Sequence, residues 1–112
     1  MKLPYRKNAI IHRRKITHYL LSLTHPVGKS KAVFFRGIGF NEENIERLKQ
    51  NLYEIVQNDI VTKTKPSGDN KGMNYEIIGP LMAPNGKIYP IRTVWEIKNG
   101  AIIPSFITAY PV

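Results

Sequence analysis

The chain has 112 residues, 42% of them hydrophobic, with 17 Lys and Arg against eight Asp and Glu and no cysteine. That length supports one hydrophobic core and not two, and the missing thiols exclude a disulfide framework, thiolate metal sites and a cysteine nucleophile. The formal charge of +9 is unevenly placed: residues 1–41 hold nine Lys and Arg and three His without an acid, and from Glu42 onward eight acids balance eight basic residues.

A face charged with one sign repels itself, so its natural counterpart is a polyanion, and nucleic acid is the leading one. A solvated face that serves only solubility and a face for anionic membrane surfaces are the two other readings. The N-terminal apolar run Ala9–Ile11 is far shorter than a signal-peptide core. No stretch approaches the roughly 18 apolar residues of a membrane span, so a cytoplasmic location without a membrane partner is expected.

Residues 1–12 read as an extended, proline-containing arm. From Arg13, the apolar positions Ile16, Tyr19, Leu20 and Leu23 recur at helical spacing until His25-Pro26 stops them. A second short helix is expected from Lys29 to Arg36, ended by Gly37. Asn41 reads as the N-cap of the clearest helix, with Glu42 and Glu43 in its first turn and Ile45, Leu48, Leu52, Ile55 and Val56 on one face. After Asn58 the period falls to two. Strands are expected at Ile60–Thr64, Tyr75–Met82, Ile88–Ile97 and Ile103–Tyr110, separated by the loop 65–72 and by the turns Pro84-Asn85-Gly86 and Lys98-Asn99-Gly100. Helices (about 13–58) followed by strands (about 60–112) define a single α+β domain over 1–112, with helices packed on a four-stranded antiparallel meander.

Gly28-Lys29-Ser30 is no P-loop, since Leu23 stands where the earlier glycine is needed. It still gives a helix start with two ammonium groups, a phosphate subsite in kind. His12, His18 and His25 are six and seven residues apart, which does not gather zinc ligands on one helix face, and no metal or other cofactor is expected. His25, beside Pro26, reads either as a C-terminal helix cap bonding the last carbonyls or as a general acid or base. Alternation places Ile91, Thr93, Trp95 and Ile97 on one face of the third strand, and Phe106, Thr108 and Tyr110 on one face of the fourth. Thr108 and Tyr110 read as cleft hydroxyls or as ordinary half-buried strand residues.

No pair of acids, GxSxG or serine triad suggests itself. The remaining inventory suits cleavage of RNA by its own 2′-OH, which needs cations and hydroxyls but neither metal nor protein nucleophile. His25 as acid or base, Lys29, Lys31 and Arg92 as electrostatic stabilisers, and Thr108 and Tyr110 as donors to phosphate form the candidate catalytic set.

Five blocks, HPVGKSKAVFF (25–35), IGF (38–40), PNG (84–86), RTVWEI (92–97) and TAYP (108–111), resemble a small bacterial family whose members stand alone or end polymorphic toxins. The layout also resembles the Barnase–EndoU–colicin–RelE superfamily of metal-independent ribonucleases. The resemblance implies a toxin-like endoribonuclease, RNA as substrate and a small acidic antitoxin protein as partner, with room for a homo-oligomer. It adds Thr93 to the candidate site, beside the basic residues Arg13, Arg14, Lys15 and Arg36 as RNA contacts. The competing class is a non-catalytic basic module that binds nucleic acid or an acidic protein, and a third is an immunity or scaffold protein.

Overall fold

Period-two patterning builds four strands, β1 (Val61–Pro66), β2 (Gly72–Met82), β3 (Ile88–Lys98) and β4 (Ser105–Pro111), in a computed structural model that describes all 112 residues. They pair antiparallel in the order β1-β2-β3-β4, the expected meander. On one sheet face Ile77, Leu81, Ile91, Trp95, Phe106 and Ala109 are buried. The helical half packs there. The long helix α3 (Ile45–Asn58) turns Ile45, Leu48, Leu52, Ile55 and Val56 inward, and α2 (Lys29–Gly37) adds Phe35. This is the α+β architecture of helices on one face of an antiparallel sheet.

Close approach of α3 to β2 depends on Gly79, where an added Cβ would fall 2.9 Å from Ile55 Cγ2 and 2.5 Å from Asp59 Oδ2. The N-terminal arm is less free than its composition suggests. Leu3, Ala9 and Ile11 are buried, Ile10 bridges in parallel to Ser105, and Arg6 and Gln57 exchange hydrogen bonds between arm and α3.

Several boundaries differ from the sequence expectation, each for a local reason. The first helix is only α1 (Arg13–Lys15), which widens into a π-helical segment (Ile16–Leu20) instead of continuing to His25. The Leu21 amide bonds back to the Ile16 carbonyl at 2.9 Å, and this wide turn brings Leu20 and Leu21 together into the core while Leu23 faces solvent. Asn41 does not cap α3. Its Oδ1 accepts from the Glu43 amide at 2.8 Å in a turn that precedes the helix, and Asn44 occupies the cap position, leaving Glu46 as the acid of the first helical turn. Glu42 is released to pair with Arg36. β1 and β2 extend into the expected loop, to Pro66 and back to Gly72, and β4 starts at Ser105 with Ile103 still outside it.

The most consequential difference lies in β4. Trp95 pairs with Phe106 but Val94 pairs with Thr108, so Ile107 is an extra residue in the strand. This bulge reverses the facing of the residues after it. Phe106 therefore lies in the core beside Trp95, while Thr108 and Tyr110 do not share its face as alternation implies; Tyr110 instead stands opposite Arg92.

Candidate functional site

The site grows from the short turn His25–Gly28. The His25 carbonyl accepts from the Lys29 amide at 3.0 Å, and its Nδ1 accepts from the amides of Val27 and Gly28 at 3.0 and 2.9 Å. Those amides belong to the turn that leads into α2, so the imidazole fixes the entry to that helix and does not bond the last carbonyls of the preceding one. The Nδ1 lone pair thus faces two N–H groups. In this arrangement the His25 ring fixes the turn through two backbone amides.

Gly28 brings this turn against the π-helical segment. A Cβ there would lie 2.5 Å from the Tyr19 carbonyl oxygen and 3.0 Å from its ring. Tyr19 is thereby set edge-on to His25, with centroids 5.0 Å apart, and its hydroxyl meets Thr108 Oγ1 at 2.9 Å. Lys15 Nζ and Lys31 Nζ stand 5.2 and 5.4 Å from the Tyr19 ring centroid. Lys31 also lies 5.8 Å from the centroid of Tyr110, whose ring has Arg92 Cζ 5.6 Å from its centroid. Cations over aromatic faces are held by the ring quadrupole, which keeps three positive groups near one another despite their repulsion.

Arg92 completes the row across the sheet. Its Nε is 3.2 Å from Glu76 Oε1, but the N–H is not directed at that oxygen, so this buried nitrogen has a charge partner and no hydrogen bond. A hollow of about 390 Å³ opens beside Tyr110, lined also by Ser30, Lys31, Phe34 and Pro111.

Lys31, Thr108, Tyr110 and Arg92 of the expected set thus converge, with His25 joined through Tyr19. Lys15 joins them as well. The side chains of Lys29 and Arg14 are exposed and lie outside this cluster, and Arg13 pairs loosely with Glu46 at 3.4 Å. Two of the expected RNA contacts, Thr93 and Arg36, are held by partners within the fold. Thr93 is wholly buried on the core face, where its hydroxyl donates to the Ile77 carbonyl and accepts from Trp95 Nε1, both at 2.8 Å. Arg36 is engaged by the Leu21 carbonyl at 2.9 Å and by both carboxylate oxygens of Glu42. The hydrogen bonds with Glu42 raise the Arg36 pKa and hold the Glu42 carboxyl below its ordinary range. Sequence reasoning missed Tyr19 and Glu76. Tyr19 read as one apolar helix position, and the ion pair of Glu76 with Arg92 depends on strand register.

The matching family model, described as Domain of unknown function (DUF6883), spans residues 2–112, and the chain belongs to this family. No curated protein matches it. Among solved structures, a chain of the contact-dependent growth inhibition toxin–immunity protein complex from Klebsiella pneumoniae 342 shares the fold, with a TM-score of 0.66 at 15% identity over 92% of this chain and 99% of that one. No helix is long and apolar enough to cross a membrane.

Proposed function

We propose that the chain is a toxin-like module that cleaves RNA by attack of the 2′-OH, acting at the cluster of Lys31, Tyr110, Arg92 and Glu76. The observation that carries this reading is that four elements bring two cations, a phenol and one carboxylate to a single spot beside an open hollow. In the reaction the bond from O2′ to phosphorus forms and the bond from phosphorus to O5′ breaks, leaving a 2′,3′-cyclic phosphate. Glu76 takes the proton of the 2′-OH, and Tyr110 supplies one to O5′. Lys31 and Arg92 stabilise the charge that builds on the phosphorane. Tyr19, Thr108 and His25 hold the wall on which Lys31 rests. The Barnase–EndoU–colicin–RelE resemblance agrees with this chemistry at the level of the superfamily.

The fold shared with one chain of a toxin–immunity complex supports a protein partner too. The charge of +9 supports a place for this chain on the nucleic-acid-facing side of such a pair, with an acidic immunity or antitoxin protein covering the same face. The non-catalytic alternative is favoured by one feature, the engagement of His25 Nδ1 by two backbone amides.

Expression without a partner separates the two. The nuclease reading expects growth arrest and cut RNA in the presence of chelator, both lost in Tyr110→Phe and Glu76→Gln with RNA binding retained. Intact RNA under the wild-type protein supports the binding module.

A further inference from the structure

Resting on the nuclease reading, we infer that the hollow beside Tyr110 is a subsite for one unstacked nucleobase, adjoining the phosphate held by Lys31 and Arg92. Its volume of about 390 Å³ falls within the ~300–1,000 Å³ of small-molecule sites. Two of its lining residues are aromatic, Phe34 from α2 and Tyr110 from β4, and Pro111 adds an apolar wall. Phe34 is fixed by edge-to-face contacts with Phe35 and Tyr89, at centroid distances of 5.2 and 5.7 Å, so the side chain is pre-positioned. Lys31 links the two subsites, since its ammonium lies over the Tyr110 ring and it also lines the hollow. Ser30 adds a hydroxyl for the edge of a base.

Aromatic walls beside a cation suit a flat, uncharged ring attached to a phosphate better than they suit phosphate alone. A base can enter only after leaving its stack, so the subsite selects single-stranded RNA or a strand locally opened. None of the phosphate-handling residues requires Phe34. The side chain therefore reads the base without touching the reacting atoms.

The test uses the whole protein and a 2′-deoxy tetranucleotide, which has no 2′-OH to attack, compared with versions made abasic at each position in turn. Wild type should bind the intact strand about tenfold more tightly than the strand abasic at one particular position, in line with the worth of one stacked base. Phe34→Leu, with its fold checked by thermal melting, should lose about that factor for the intact strand and nothing for that abasic strand. Phe34→Trp should restore it. Equal losses for both strands, no position-specific effect, or no binding by wild type overturn the subsite. RNA cleavage measured in parallel keeps the two ideas apart. Cutting that persists without base dependence defeats the subsite alone, and base-dependent binding without cutting defeats the nuclease and leaves the subsite standing.

Discussion

Thr93 shows how one hydroxyl is committed to structure. It lies wholly within the core, donating to a backbone carbonyl and accepting the indole N–H of Trp95. Thr93→Val keeps the shape but strands that N–H, so a cost of about 1–3 kcal/mol is expected in urea unfolding. Binding to RNA should be unchanged, because no ligand reaches this position. Gly28 is committed in the opposite way, through absence of a side chain. Gly28→Ala forces a methyl onto the Tyr19 carbonyl, which must push the His25 turn away from the π-helical segment. The expected result is a cleavage rate reduced more than tenfold under the nuclease reading, with a modest fall in melting temperature; displacements near 1 Å cost this much at positioned sites. At this scale the sequence exposed the types of residue but not their partners. His25 was visible as a functional candidate, and only the two amides facing its Nδ1 reveal which nitrogen is occupied.

Between elements, the Arg36–Glu42 pair ties the end of α2 to the turn before α3. The Glu42 carboxyl is held below its ordinary range chiefly by the hydrogen bond from Arg36. A lowered carboxyl contributes stability above its unfolded value and loses it as pH falls through the folded one. The stability gap between wild type and Glu42→Gln should therefore be widest near neutrality, close in acid, and shrink with added salt because the pair is exposed. Thermal melts across pH at two ionic strengths measure it. Leu52, on the buried face of α3, sets a larger scale: Leu52→Ala should cost about 2–5 kcal/mol in chemical unfolding. The helix, the strands and their order were legible because their apolar periods are regular. The bulge at Ile107 and the widened turn at Ile16–Leu20 were not, since both insert a residue into a period without any local marker such as glycine or proline. Each of these irregularities feeds the site. One turns Tyr110 toward Arg92, and the other sets Tyr19 beside Thr108.

Across the whole molecule, charge and topology act together. The acid-free N-terminal third supplies Lys15 and Lys31, and the sheet supplies Arg92 and Tyr110, so the cluster exists only when the two halves are docked. The charge asymmetry was plain in the sequence, whereas the docking depends on register and on Gly28. A chain of this charge should bind RNA with a steep salt dependence, and charge reversal at Arg14 should flatten the slope without altering cleavage chemistry. The central claim is that Lys31 and Arg92, which both stand beside the Tyr110 ring, serve one phosphate. It is tested most directly by cleavage rates under single-turnover conditions for Lys31→Gln, Arg92→Gln and the double variant. Two groups acting on one phosphorane predict a double variant little slower than the slower single one. Losses that multiply independently, or single variants as fast as wild type, would contradict it.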